Sequence, residues 1–187
     1  MRANMCRAGT RKGKIKLKKR LLSILLAAVM VLTMLPLGLV DTAWAAETAN
    51  SGTCGDNVTW RLSDDGVLTI SGTGDMAEYE YYGAAPWYSF CMQVTTVIIE
   101  NGVTSIGDCA FSGCSNLTKA NIASGVKAIG NLAFSGCSSL TTVTVPASVT
   151  SIGESAFSRC AALTGVTIPS GVTNIGEYAF DSCAVLC

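Results

Sequence analysis

Histidine is absent from the sequence, and only 14% of its 187 residues are charged. A Ser-His-Asp or Cys-His mechanism needs an imidazole as general base. The absence of histidine therefore excludes both mechanisms within these residues. Any activity of this chain must rest on other chemistry or on binding.

Basic residues are scarce beyond the first 20 positions. Nine of the 13 basic residues lie between Arg2 and Arg20, whereas the chain from Ala46 onward has four basic and twelve acidic side chains. The neutral total charge is thus an average over two unlike segments. Because proteins bind nucleic acid largely by neutralising phosphates with lysine and arginine, we predict no nucleic-acid partner for the acidic segment.

The basic N-terminus leads into an apolar run at residues 21–35, and a small-x-small triplet follows at 43–45. This order is typical of a secretory signal peptide. Residues 1–45 are therefore predicted to be a signal peptide, cleaved after Ala45, and the protein to be secreted or held at the cell surface. An uncleaved anchor at residues 21–40 is the alternative, since that length can span a bilayer. No other membrane contact is predicted.

A repeat of 23 residues dominates the remainder of the chain. The pattern Ile-Gly-x-x-Ala-Phe-x-x-Cys occurs at residues 106–114 and begins again at Ile129, Ile152 and Ile175. Units of this length are too small to bury their own apolar face and must stack on their neighbours. The sequence therefore predicts a repeat solenoid over residues 94–187.

Each repeat is predicted to form a short parallel strand, a turn and a brief helical return. Residues 117–122 have the alternating apolar spacing of a strand with one buried face. Asp108 and its equivalents stand where a helical turn would start, and an acceptor there suits the free N–H groups of a helix. The last repeat stops at Cys187, before the strand that would complete its coil. We expect this end to be open and able to self-associate.

The residues before the repeats are assigned to a linker and a cap. Residues 46–57 are small and polar and are interpreted as the linker. Residues 58–93 combine a β-hairpin pattern with a degenerate repeat in which Trp87 and Tyr88 take the places of Ala110 and Phe111. Since solenoids need atypical end units, residues 58–93 are predicted to form an N-terminal cap.

Three tyrosines of this cap have no place in the repeat, namely Tyr79, Tyr81 and Tyr82. Tyrosine has an apolar ring and a polar tip, so it suits both core packing and contact with a ligand. A sugar-stacking platform and simple packing therefore both stay open for these residues.

Nine cysteines occur in the chain. Five share one position of the repeat and are predicted to stack about 5 Å apart. That spacing suits a disulfide, but stacked side chains point the same way rather than at each other. We therefore predict buried free thiols, and no metal site, because a linear row cannot surround one ion. The five are Cys91, Cys114, Cys137, Cys160 and Cys183, while Cys54, Cys109 and Cys187 are out of phase and free to pair or react.

The carboxylates show no arrangement for catalysis. A glycosidase needs two carboxylates that face each other across a cleft, whereas Glu154 and Glu177 are predicted to stack on one edge. We therefore predict a protein that is not an enzyme and has no cofactor.

The repeat resembles that of the BspA-like leucine-rich repeat family of bacterial surface proteins, whose unit is approximately L-x-x-V-x-I-P-x-x-V-x-x-I-G-x-x-A-F-x-x-C. The resemblance covers residues 94–187. It implies a curved leucine-rich-repeat stack with a parallel sheet on one face, and a role as an adhesin-like binding module with a protein or glycan ligand on a host or neighbouring cell. The alternative is the repeat arm of a larger secreted enzyme or wall-anchored protein that continues past Cys187.

Outward positions of the strands form the predicted binding surface, which we call the sheet face. Solenoids commonly present this surface to partners, although threonine also suits exposed strand positions without any ligand. The sheet face comprises two rows, Thr96, Lys119 and Thr142 in one, and Ile98, Asn121, Thr144 and Thr167 in the other.

Overall fold

Coils of 23 residues stack in register and form a β-solenoid, as seen in the computed structural model of the protein, which describes residues 50–183. The predicted signal peptide at 1–45 and the final four residues lie outside this range. Between residues 50 and 183, no helix is long and apolar enough to cross a membrane. The strands are β1 (Ser51–Thr53), β2 (Val58–Leu62), β3 (Val67–Gly72), β4 (Gly74–Asp75), β5 (Thr96–Ile99), β6 (Val103–Ile106), β7 (Lys119–Ile122), β8 (Ala128–Ile129), β9 (Thr142–Thr144), β10 (Ser151–Ile152), β11 (Val166–Thr167) and β12 (Asn174–Ile175).

The first sheet has seven strands in the order β1-β2-β3-β5-β7-β9-β11. Its repeat strands β5, β7, β9 and β11 pair in parallel. Before them, β1, β2 and β3 pair antiparallel, and β3 joins the parallel part through β5. The alternation of apolar and polar residues at 58–62 therefore forms part of the same sheet as the repeats. The capping role of this segment stays a prediction.

A second parallel sheet forms the return legs of the coils, before the positions from Asp108 onward where helical turns are predicted. Its five strands follow the order β12-β10-β8-β6-β4. Residues 108–113 and their equivalents form turns without a helix, so the predicted helical turns are not confirmed. The return leg of the first complete coil begins at Val103 and ends at Ile106, and β-branched residues favour an extended backbone. In the described part of the chain, the one helical element is a 3₁₀ helix at Tyr88–Phe90.

Each coil closes with a turn, and we call the row that these turns form the turn row. It comprises residues 108–113, 131–136, 154–159 and 177–182. N–H groups in this row donate to carbonyl groups of the next coil; the phenylalanine pairs are Phe111 to Ala133, Phe134 to Ala156 and Phe157 to Ala179, with N···O distances of 2.7 to 2.8 Å. The turns use left-handed backbone at two repeat positions. Such a conformation is uncommon for residues other than glycine and persists where the surrounding structure enforces it. The positions are 109, 132, 155 and 178, with φ of 53 to 57°, and 113, 136, 159 and 182, with φ of 56 to 75°.

Asp108 accepts hydrogen bonds, as predicted, but from the next coil rather than from a helix of its own. The backbone N–H of Asn131 donates to Asp108 Oδ1 at 2.7 Å, and that of Glu154 donates to Asn131 Oδ1 at 2.8 Å. A side chain at Gly130 or Gly153 would collide with these groups. The glycine of the Ile-Gly motif is therefore required by the close approach of successive coils.

Aromatic rings form the centre of the stack. Phe111, Phe134 and Phe157 are fully buried, and their ring centroids lie 5.1 and 5.2 Å apart. Trp87 continues the stack, 5.4 Å from Phe111, and its Nε1 donates to the Ala110 carbonyl at 2.9 Å. The predicted alignment of the degenerate repeat is therefore wrong at the phenylalanine position, which Trp87 and not Tyr88 occupies, whereas the aligned Cys91 and Cys114 do lie side by side.

Part of the predicted linker, residues 46–57, is an edge strand. In the pairing of β1 with β2, Gly52 faces Trp60. A side chain at Gly52 would collide with the indole ring of Trp60. The small residues that suggested a linker thus allow β1 to pack over a large aromatic residue.

Replacement of Phe157 by alanine is expected to lower the free energy of unfolding by about 3 to 5 kcal/mol, because it opens a cavity in a closed stack. Phe180 is the matched control, since it stacks on Phe157 at 5.4 Å but is only partly buried. Urea unfolding of the parent, Phe157→Ala and Phe180→Ala measures both losses. Equal losses, or an unchanged midpoint for Phe157→Ala, would contradict this assignment.

Candidate functional site

The sheet face exists as two aligned rows of side chains. Thr96 pairs with Lys119, and Lys119 pairs with Thr142. The second row runs from Ile98 through Asn121 to Thr144 and Thr167. Because adjacent strands are about 4.8 Å apart, each row places one side chain from every coil next to its equivalent in the neighbouring coil.

The two ends of the sheet face differ in exposure. Thr96 and Ile98 are half-buried, whereas the residues of the following coils are exposed. The exposed members are Lys119, Asn121, Thr142, Thr144 and Thr167. The exposed part of the sheet face therefore lies on the strands β7, β9 and β11.

Sequence reasoning missed the continuation of the second row onto the antiparallel strands. Thr69 pairs with Ile98, and Arg61 pairs with Thr69. Arg61 is exposed and Thr69 is half-buried. The alternation of apolar and polar residues at 58–62 indicates a strand with one exposed face. The sequence does not show that this strand joins the sheet of the repeats.

The cysteine row contains one disulfide, between Cys91 and Cys114, with Cα atoms 4.7 Å apart. The prediction of free thiols throughout is therefore wrong for this pair. Cys91 follows directly after the 3₁₀ helix and keeps a right-handed helical backbone, so its coil differs from the later ones. The other members, Cys137, Cys160 and Cys183, are free and buried.

The free thiols of the row pack as small apolar groups. Cys137 Sγ donates to the Phe111 carbonyl and Cys160 Sγ to the Phe134 carbonyl, each at 3.2 Å. Burial raises the pKa of the Cys160 thiol to about 12 and that of Cys137 well above its usual value. Because the thiolate is the reactive species, both cysteines are chemically inert in the folded protein.

The two other described cysteines lie outside the row. Cys54 and Cys109 are both free and buried. Burial raises the pKa of Cys54 to about 12 and also raises that of Cys109, where the Asp108 carboxylate adds to the shift. Cys187 lies outside the described residues. Within residues 50–183, no group of three or more His, Cys, Asp or Glu side chains is placed to hold a metal ion.

A groove of about 650 Å³ lies over the turn row; we call it the turn groove. Its floor is made of small residues from successive coils, and larger side chains stand around it. The three tyrosines without a place in the repeat differ in their environment. Tyr79 packs against Trp87, with ring centroids 5.9 Å apart, whereas Tyr81 and Tyr82 are exposed. The larger lining side chains are Glu80, Tyr81, Tyr82, Met92, Leu132 and Arg159, and the serines at the floor are Ser112, Ser115 and Ser135.

The coils stack in parallel, and each buried position of the repeat forms an apolar column. These features define a leucine-rich repeat solenoid. The family model for the BspA type leucine rich repeat region matches residues 85–186 in six copies. The chain belongs to the BspA-type leucine-rich repeat family. No curated protein sequence matches it at a significant level.

Three solved structures share this fold. A leucine-rich repeat protein from Eubacterium ventriosum is 32% identical over 67% of this chain and 40% of that one, with a TM-score of 0.54. One from Bacteroides ovatus is 31% identical over 71% and 39%, with a TM-score of 0.51. The T. pallidum leucine-rich repeat protein is 26% identical over 73% and 70%, with a TM-score of 0.56. This chain thus spans about 40% of the first two structures.

We predict that Cys137 and Cys160 resist iodoacetamide in the folded protein at neutral pH and react once it is denatured, because their thiolates form only after exposure to water. Mass spectrometry of unreduced digests should recover peptides joined through Cys91 and Cys114. Fast labelling of Cys160 in the folded protein, or alkylated Cys91 without prior reduction, would contradict the structure.

Proposed function

We propose that this protein is an exported, non-catalytic binding module that acts at the cell surface, in the manner of an adhesin, and recognises a protein partner through the sheet face. The observation that carries the proposal is the continuous surface formed by the two rows of paired side chains, whose members on β7, β9 and β11 are exposed. Membership of the BspA-type family supports it.

The composition of the sheet face suits a protein partner better than a small ligand. Small ligands are bound in concave, mostly apolar sites, whereas the exposed part of the sheet face is a row of polar side chains. Its exposed part offers threonine hydroxyl groups, the amide of Asn121 and the charge of Lys119. These groups can form hydrogen bonds across a wide contact without desolvating many charges.

A second candidate role is a repeat arm of a larger secreted enzyme or wall-anchored protein. It is favoured by the lengths of the similar structures, two of which are matched over only about 40% of their chains. In that case the sheet face would still bind, while catalysis or anchoring would come from another part of the protein. Sequencing of the coding region beyond Cys187 distinguishes the two roles.

The sheet face is tested by replacing Lys119, Asn121 and Thr144 together with glutamate. We expect saturable binding of the labelled parent to cultured epithelial or bacterial cells, and at least a tenfold loss for this variant, because three carboxylates would be desolvated in the interface. Flow cytometry measures the binding.

The matched control changes Lys127, Ser124 and Ser170 to glutamate. These residues are also exposed and lie off the sheet face, and the change in charge is the same. Retained binding by the control together with loss in the first variant supports the sheet face. Equal binding by both variants would place the contact elsewhere.

Export is tested on protein recovered outside the cell. Cleavage after Ala45 gives a mature chain that begins at Ala46, which N-terminal sequencing detects. A mature terminus at Met1 or Arg2 would contradict cleavage and support the anchor at residues 21–40.

A further inference from the structure

The turn groove has the size and the rigidity of a ligand site. Its volume of about 650 Å³ lies within the range of about 300 to 1,000 Å³ that is typical of small-molecule sites. Gly113 and Gly136 form part of its floor, and a Cβ atom at Gly136 would meet the backbone of Gly113 at an ordinary contact distance of 3.7 Å. The floor belongs to hydrogen-bonded coils, so the groove is present before any ligand arrives.

The side chains at one end of the groove are held in place. The rings of Tyr82 and Tyr88 meet edge to face, with centroids 5.1 Å apart, and Tyr82 lies directly over Gly113. The Asn116 amide donates to the Met92 carbonyl at 2.7 Å. Tyr81 stands beside them with 66% of its surface exposed. A ligand that contacts Tyr82 thus meets a ring that is already held in place, at small cost in side-chain entropy, while Tyr81 offers an exposed ring next to it in sequence.

The backbone of the floor is already paired. Gly113 N–H donates to the Ser135 carbonyl and Gly136 N–H to the Ser158 carbonyl, each at 2.8 Å. A peptide that binds as an added strand needs unpaired backbone groups, so it finds few here. Recognition must therefore use side chains: the rings, the aliphatic surface of Leu132 and the serine hydroxyl groups.

The charged residues of the groove favour a ligand that both donates and accepts hydrogen bonds. Glu80 only accepts and Arg159 only donates, and both line the groove. A proline-rich peptide also suits aromatic grooves, but proline has no backbone N–H to offer Glu80. Sugar hydroxyl groups do both. An anionic ligand is disfavoured because residues 50–183 contain four basic and eleven acidic side chains.

We propose that the turn groove binds a neutral saccharide of two or three units, with its C–H faces on Tyr81 and Tyr82 and its hydroxyl groups toward Glu80, Arg159 and the serines of the floor. This site is separate from the sheet face and adds a glycan specificity to the proposed role as a surface binding module. Loss of one site leaves the other intact.

The test uses the exported protein and a panel of neutral trisaccharides: maltotriose, cellotriose, mannotriose and tri-N-acetylchitotriose. We expect saturation-transfer NMR to show millimolar binding of at least one of them, with the strongest transfer to ring C–H protons. Tyr81→Ala should weaken this binding at least tenfold. Tyr178→Ala is the matched control, because Tyr178 is also 66% exposed but lies outside the groove; its binding should equal that of the parent.

Two further measurements make the outcome decisive. The glutamate variant of the sheet face should bind the trisaccharide as well as the parent does, which separates failure of this site from failure of the proposed function. A proline-rich decapeptide is titrated in parallel. The proposal is overturned if no trisaccharide binds, if Tyr81→Ala binds as tightly as the parent, or if the decapeptide binds while the saccharides do not.

Discussion

Hydrogen bonding between equivalent positions of successive coils is the constraint on which the whole structure depends. Both sheets and the turn row use it, and it operates only if every coil has the same length. The period of 23 residues is therefore as much a requirement as the apolar columns. The same bonding between coils includes Asp108, whose carboxylate accepts a hydrogen bond from the Asn131 N–H group of the coil that follows it.

The strictly repeated features could be predicted from the sequence because one physical constraint selects the same residue type at every equivalent position. Burial requires the isoleucine and phenylalanine columns, and close approach of coils requires the glycine. The form of the return could not be predicted in the same way. Leu132 adopts left-handed backbone, which its residue type does not favour, where its N–H donates to the Glu154 carbonyl of the next coil at 2.8 Å. Turns bonded to the next coil thus stand where helical turns are expected.

The irregular first coil shows where pattern matching ends. Its 3₁₀ helix moves Trp87 into the aromatic stack, and an alignment by period alone misses this shift. In the same coil Cys91 is bonded to Cys114, whereas the thiols of Cys137 and Cys160 in the regular coils donate to carbonyl groups. The rule that stacked cysteine side chains point the same way and stay unbonded holds for the regular coils. It fails for the pair that includes the irregular coil.

The positions that remain for recognition are those that the fold does not constrain. Along one row of the sheet face, threonine, lysine and threonine occupy equivalent places, so packing does not dictate their identity. Tyr81 and Tyr82 belong to a segment outside the repeat pattern and lie over the turn row. The sequence could mark both sets as unexplained by the core, but only the folding of that segment against the coils creates a groove. The proposed recognition would therefore rest on variation within a column and on residues outside the period, while the repeat itself supplies the scaffold.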